Sequence, residues 1–160
     1  MSLPSQANVP KDGRQSETAL LVARGTRRLL RSRRLVTLTE LPLASGRRAD
    51  IVALAPDATL LIIEIKSSIA DFRADAKWPD YRFHCDRLYF AIPEEVPPEI
   101  MPEDAGLIIA DGFGAEILRE APEHRLAAAT RRSMLLRFAQ AAAHRLHGLS
   151  DPEILSFGSL

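Results

Sequence analysis

The pattern of hydrophobic and polar positions along the chain predicts alternating helices and strands. Between residues 15 and 34, apolar residues recur at spacings of three and four, which is typical of an amphipathic helix. Aliphatic and β-branched runs bounded by Pro, Gly and Asp predict strands. The predicted strands are 35–43, 48–55, 59–66, 87–92, 105–111 and 115–119; the predicted helices are 15–34, 69–78 with a continuation to about 86, and 124–147, ended by Gly148.

This order of elements predicts an α/β fold with a mixed β-sheet flanked by helices. The chain has 160 residues and is 46% hydrophobic, which suits one domain with its own core. Residues 1–13 are polar, contain two prolines and show no periodicity. We therefore expect a disordered N-terminal arm over 1–13 and a single domain over 14–160.

The cysteine content and the N-terminal sequence indicate the cellular compartment in which the protein works. Cys85 is the one cysteine of the chain, so no internal disulfide can form, as is usual in a reducing compartment. The N-terminus has neither a basic region nor an apolar stretch, and no window has the 18 or so apolar residues of a membrane span. We expect a cytoplasmic protein with no membrane partner.

The charge of the chain is zero overall but unevenly distributed. Residues 1–50 carry ten basic and four acidic residues, whereas residues 93–123 carry nine acidic residues and one arginine. Such a chain can present a basic face to a polyanion while remaining neutral as a whole. On the first predicted helix, one row of arginines lies opposite the apolar stripe and is either a solvated face or a DNA-binding surface: Arg24, Arg27, Arg28 and Arg31.

The candidate chemistry lies on the hairpin formed by strands 48–55 and 59–66. If the chain turns about Asp57, then Asp50 lies directly opposite Glu64 on one face of the sheet, and Lys66 shares that face. Two carboxylates so placed can bind one divalent cation such as Mg²⁺. A neighbouring lysine can hold or deprotonate the attacking water and stabilise charge on a phosphate.

The same three residues also have a purely structural interpretation. A strand that ends in Glu-x-Lys can form a partly buried salt-bridge cluster with an opposed Asp, without metal or reaction. Against this interpretation, removing three charges from water at the end of an apolar sheet is a costly way to stabilise a core. Perturbed charged clusters of this kind are commonly functional.

The segments around these residues resemble a known family. Residues 15–92 resemble the PD-(D/E)xK nuclease superfamily in their order of elements, and the whole chain resembles the MmcB-like family of small bacterial DNA repair proteins. The resemblance is carried by Arg47-Arg48-Ala49-Asp50-Ile51-Val52, by Ile63-Glu64-Ile65-Lys66-Ser67-Ser68, and by Trp78-Pro79-Asp80-Tyr81 leading to Cys85-Asp86-Arg87-Leu88-Tyr89-Phe90-Ala91-Ile92-Pro93.

The resemblance implies a restriction-endonuclease-like fold and a role in DNA repair. It also implies a Mg²⁺ (or Mn²⁺) cofactor, with Asp50 and Glu64 as metal ligands, the backbone carbonyl of Ile65 as an additional ligand, and Lys66 as the catalytic lysine. Ala49 stands where the superfamily motif has proline, at a position that varies.

Further residues are weaker candidates for the same site. Glu17 resembles an accessory acid of these nucleases, although its helical angle places it on the arginine side. Lys77 and Tyr81 are candidates for contact with substrate phosphate, the alternative being that they only decorate the surface.

Two functions from different classes remain. The first is a Mg²⁺-dependent DNA endonuclease of DNA repair that hydrolyses phosphodiester bonds. The second is a catalytically silent nuclease-fold protein that binds DNA or another repair protein. A purely structural domain would leave the arginine row and the acid pair unexplained. The DNA substrate structure and the oligomeric state stay open at this point.

Overall fold

A computed structural model describes residues 16–157, and side chains up to residue 154. The predicted arm over residues 1–13 lies outside these described residues. The helices are α1 (Glu17–Ser32), α2 (Ile69–Ala74) and α3 (Ala128–Ser150), the strands are β1 (Val36–Pro42), β2 (Arg48–Leu54), β3 (Leu60–Ile65), β4 (Arg87–Ile92), β5 (Gly106–Ala110) and β6 (Ala115–Arg119), and short 3-10 segments cover Trp78–His84, Pro98–Ile100 and Pro152–Phe157.

The six strands form one sheet in the order β1-β2-β3-β4-β5-β6. The first three strands are antiparallel, β3, β4 and β5 are parallel, and β6 is antiparallel to β5. The predicted mixed sheet is confirmed. Strand β3 is buried along its whole length, as expected for a central strand covered on both faces.

Helix α1 packs on one face of the sheet. Ser16 begins it by accepting a hydrogen bond from the Ala19 N–H at 3.1 Å. Its apolar stripe includes Val22 and Leu30, which pack against alternate residues of β2 and β3 such as Ile51, Ile63 and Ile65. These odd-numbered residues of the two central strands therefore face α1.

The opposite face of the sheet is covered by α3 and the segment Trp78–His84. Val52 and Ile62 pack there with Tyr81 of that segment and with Met134 and Phe138 of α3. Even-numbered residues of β2 and β3 thus face away from α1.

The boundaries of two predicted helices are wrong. The predicted helix from residue 69 to about 86 is two elements, because α2 ends at Ala74, the backbone at Asp75 is extended, and Trp78–His84 is a 3-10 segment. The last helix begins four residues later than predicted, since Asp86 binds the N–H groups of His124 and Leu126 and holds that stretch out of a helix. It also continues past Gly148 to Ser150, ahead of Pro152.

Within residues 16–157, no helix has both the length and the apolar character needed to cross a bilayer.

Candidate functional site

The two predicted acids lie opposite each other at one end of the hairpin. Ile51 pairs with Ile63, so the register predicted from the turn at Asp57 is confirmed, and its next position, just beyond the last paired residues, has Asp50 opposite Glu64. The Glu64 carboxylate accepts a hydrogen bond from the Asp50 N–H at 3.1 Å. One Asp50 carboxylate oxygen accepts a hydrogen bond from the Ile65 N–H at 2.8 Å. Where the two strands separate, the N–H groups of Asp50 and Ile65 therefore donate to carboxylates rather than to backbone carbonyls.

The acid pair faces the side of the sheet that α1 does not cover. Ile63 and Ile65, on either side of Glu64, pack with α1, so the Glu64 side chain points the other way. Lys66 lies two residues further along and shares this face. Its ammonium group pairs with Asp75, directly after α2, at 2.6 Å between Nζ and Oδ2. The end of α2 thus closes one side of the site.

Burial raises the pKa of both acids. Glu64 is only 3% exposed, and burial together with the nearby Asp50 charge raises its pKa well above the ordinary value for a glutamate. Burial raises the pKa of Asp50 as well. The hydrogen bond from the Ile65 N–H and the charge of Lys66 lower this pKa, but burial outweighs them. A buried glutamate beside a second carboxylate attracts a proton or a cation.

The donor atoms at this pair fit a divalent metal ion. Each carboxylate accepts a hydrogen bond from one backbone N–H, and the two carboxyl groups also contact each other, so a cation between them would take the place of that contact. The Ile65 N–H points toward β2, and in a strand the carbonyl of the same residue points the same way. Among the described residues no group of three His, Cys, Asp or Glu side chains is close enough to hold a metal. The pair and the carbonyl suit Mg²⁺, which takes one or two carboxylates and keeps several waters.

Asp75 is a site residue that the sequence did not indicate. Burial opposes its ionisation, but the hydrogen bonds from Lys66 and from the Lys77 N–H outweigh burial and hold its pKa below the ordinary value. The Asp75 carboxylate thus stays charged and fixes the ammonium of Lys66. Asp75 lies nine positions after Lys66, and only the path of α2 brings the two together.

Two of the three accessory candidates do not join the acid pair. Glu17 is exposed on the outer side of α1, with Arg24 and Arg28, and the side chain of Lys77 is exposed. Lys77 contacts the site only through its backbone N–H, which donates to Asp75 at 3.0 Å.

Tyr81, in contrast, lies beside the pair. It is buried, and its hydroxyl donates a hydrogen bond to the Arg48 carbonyl at 3.1 Å, two residues before Asp50. Burial and the charges of Glu64 and Asp50 raise the pKa of Tyr81 above its usual value, so the hydroxyl stays protonated at neutral pH. Tyr81 supports the beginning of β2 at the site.

The arginine row of α1 lies on the other side of the sheet from the acids. All four arginines are exposed on the outer side of α1. They line a groove of about 900 Å³ between α1 and β1. The structure therefore separates the predicted DNA-binding residues from the predicted catalytic residues by the thickness of the sheet.

The fold and the site define a small α/β protein with a carboxylate pair and a lysine at one end of a mixed sheet. Residues 6–153 match the family described as "MmcB-like: DNA repair protein MmcB-like". The chain therefore belongs to the MmcB-like family of DNA repair proteins, which confirms the resemblance of the whole chain to that family. Membership indicates a role in DNA repair.

A solved structure supports the same architecture. It is the "SPO1766 protein of unknown function" from Silicibacter pomeroyi, which is 44% identical to this chain, with a TM-score of 0.83. The match covers 88% of this chain and 96% of that protein. The comparison with curated proteins gives no match.

Proposed function

We propose that this protein is a Mg²⁺-dependent DNA endonuclease of DNA repair, with the restriction-endonuclease-like fold of the PD-(D/E)xK superfamily. The observation that carries the proposal is the convergence of Asp50 and Glu64 on one face of the sheet, with Lys66 two residues further along. A nuclease needs this set of groups because phosphodiester hydrolysis requires an activated water and stabilisation of charge on the phosphate.

Each residue then has a distinct part in the reaction. Asp50, Glu64 and the Ile65 carbonyl hold the cation, which when bound supplies Lewis-acid stabilisation of the phosphate and lowers the pKa of water. Lys66 directs its ammonium group at the anionic phosphate, and the ion pair with Asp75 holds that group in place. Tyr81 keeps the beginning of β2 fixed through the Arg48 carbonyl.

In this proposal the arginine row contributes binding rather than chemistry. Arg24, Arg27, Arg28 and Arg31 contact DNA phosphates, which position a nucleic acid without reading its sequence. None of the four forms an ion pair with another described residue, so their charge is available to a polyanion.

A second candidate function is binding of DNA or a repair partner without cleavage. It is favoured by the close pairing of Lys66 with Asp75, which already satisfies the ammonium group, and by the lack of a third acid beside the pair among the described residues. In that case the carboxylate pair is an inherited feature of the fold rather than a working site.

A nicking assay distinguishes the two functions. The full chain is incubated with single-stranded, flap, junction and duplex DNAs, with Mg²⁺, with Mn²⁺ or with EDTA. Cleavage of at least one DNA with a divalent cation, and none with EDTA, supports the endonuclease. Retention of DNA in a mobility-shift assay with no cleavage of any DNA supports the silent binding protein.

A further inference from the structure

The groove between α1 and β1 is a strongly charged surface that the acid pair does not explain. One wall is the outer side of α1 and the other is β1, an edge strand of the sheet. The groove is lined by the four arginines of the row together with Leu20, Ala23, Leu35, Val36, Thr37, Thr39 and Glu40.

The positive charge of the groove is not neutralised within the described chain. Arg27 donates a hydrogen bond to the Thr37 hydroxyl at 2.9 Å, and Arg28 donates one to the Phe113 carbonyl at 3.2 Å. Arg24 and Arg31 have no hydrogen-bond or ion-pair partner among the described residues. Glu40 is the one acid in the lining, and its carboxylate lies 3.8 Å from the Arg48 guanidinium. Four like charges so close together repel one another and favour an anionic occupant.

The row spans more than one phosphate of a nucleic acid strand. Arg24 and Arg31 lie seven residues apart, which is about 10.5 Å along a helix. The guanidinium groups of the row can therefore contact neighbouring phosphates of one strand.

The groove also exposes apolar side chains, which a single strand can use and a duplex cannot. Leu20 and Val36 in its lining are 56% and 57% exposed. Phe113 is not part of the lining: it lies across α1, at the tip of the β5–β6 hairpin, where its carbonyl accepts a hydrogen bond from Arg28 and its side chain is 82% exposed. A duplex presents only phosphates and sugars to such a surface outside its grooves. A single strand presents bases, which stack on aromatic side chains while the phosphates follow basic residues.

The groove also leads toward the acid pair around the edge of the sheet. Thr39 pairs with Ile51 and Leu41 pairs with Ala49, so Glu40 lies level with Asp50 on the neighbouring strand. At this edge Arg145 of α3 donates a hydrogen bond to the Glu40 carbonyl at 3.1 Å, so a flexible chain that leaves the groove at Glu40 meets a further positive charge before it reaches the opposite face. A stiff duplex cannot make this turn within the width of one strand.

We propose that the α1–β1 groove binds a single-stranded segment of nucleic acid, with phosphates on the arginine row and a base stacked on Phe113. The DNA substrate then contains an unpaired strand. This inference rests on the proposed DNA-binding function, but it does not require that the protein cleaves DNA.

The test is fluorescence anisotropy of the full chain with a labelled oligothymidylate and with a duplex of equal length. It uses the Glu64→Gln background without divalent cations, so that cleavage plays no part. Arg24→Ala with Arg31→Ala is the charge variant, because these two arginines support no other contact. The matched control is Arg125→Ala with Arg132→Ala. Arg125 lies before α3 and Arg132 lies within it, and both are exposed.

The expected result is a salt dependence that changes only in the charge variant. Each phosphate contact on single-stranded DNA contributes a slope of about 0.7 in log affinity against log salt, so the slope should flatten by about 1.4. Phe113→Ala should weaken binding at least about fivefold through loss of stacking. Phe83→Ala, a 73% exposed phenylalanine on the other side of the sheet, should leave binding unchanged.

Three results would overturn the inference. The first is an equal effect of the test and control variants, and the second is tighter binding of the duplex than of the single strand. The third is competition by polyglutamate as strong as that by oligothymidylate, which would assign the groove to an acidic protein segment. Circular dichroism of each variant confirms that the fold is kept. Failure of the nicking assay with intact strand binding would reject the endonuclease and leave the groove assignment in place.

Discussion

Lys66 and Asp75 form a close ion pair between the end of the central strand β3 and the residue after α2. The distance between Nζ and Oδ2 is 2.6 Å, and the Lys66 side chain is almost fully buried. A buried ammonium with one dedicated counter-ion has few other orientations. The position of the proposed catalytic lysine is therefore set by a residue outside the hairpin that carries the motif.

The substitution Asp75→Asn tests this positioning role. It removes the counter-ion of a buried ammonium, so we expect the free energy of unfolding to fall by about 1–3 kcal/mol. Cleavage should fall about 10- to 100-fold, because the ammonium is no longer held in line with the phosphate. Chemical denaturation and single-turnover cleavage measure the two effects.

The matched control for this substitution is Asp80→Asn. Asp80 forms an exposed ion pair with Arg47 at 3.2 Å, and such surface pairs contribute about 0–1 kcal/mol. If both variants behaved alike in stability and cleavage, Asp75 would not position Lys66.

The substitution Glu64→Gln tests the proposed metal site. The amide oxygen can still accept the hydrogen bond from the Asp50 N–H, so the fold should be kept. The loss of ligand charge should reduce Mg²⁺-dependent cleavage to the rate measured with EDTA. Glu116→Gln, at an exposed position of β6, is the control and should cleave at the wild-type rate. If the Glu64 variant, purified free of contaminating nucleases, cleaved DNA as fast as the wild type, the metal site would lie elsewhere.

Asp86 should make the free energy of unfolding depend on pH in the acid range. Burial opposes its ionisation, but hydrogen bonds from Arg131 and from the Leu60 and Leu126 N–H groups outweigh burial and lower its pKa to about 2. The folded state therefore favours the charged form, and the stabilisation is complete above the ordinary pKa near 4. It is lost as the pH falls toward 2, and it amounts to about 2 kcal/mol.

The substitution Asp86→Asn should remove this contribution. We expect the variant to unfold more easily at pH 7 and to show a flatter loss of stability between pH 4 and pH 2. Asp104→Asn, whose carboxylate is 70% exposed beside Arg82, is the control and should retain the wild-type pH profile. Parallel profiles of the wild type and the Asp86 variant would contradict the assignment.

Gly25 should be a sensitive position of α1. A Cβ at this position would meet the backbone carbonyls of Asp111 and Gly114 in the β5–β6 turn. Gly25→Ala should therefore cost about 1–3 kcal/mol through overpacking, although alanine is the better helix former by about 1 kcal/mol. Gly114→Ala has open space around its Cβ and should change the melting temperature little. A stabilised Gly25 variant would show that α1 can move away from the hairpin without cost.

The sequence predicted the acid pair because a hairpin register depends on local information. A short turn at Asp57 between two apolar strands determines which residues oppose each other, and β3 and β2 follow that register. The outer position of the arginine row on α1 was predictable for the same reason, since helical periodicity separates it from the apolar stripe.

What the sequence did not predict depends on contacts between distant elements. The periodicity of α1 does not say which face of the sheet the helix covers, so the separation of the arginine row from the acid pair was not foreseen. The role of Asp75 depends on where α2 ends in space. The late beginning of α3 depends on Asp86, about 40 residues earlier, which binds the backbone N–H groups before the helix.

Asp86 also has a consequence for the order of folding events. Its carboxylate joins Leu60, Leu126 and Arg131, which lie 26, 40 and 45 residues away along the chain. Contacts that close such long loops form slowly, because the loop entropy is lost before the contact is gained. We therefore expect α3 to dock after the central strands have paired, and loss of the Asp86 carboxylate to accelerate unfolding while leaving the folding rate almost unchanged.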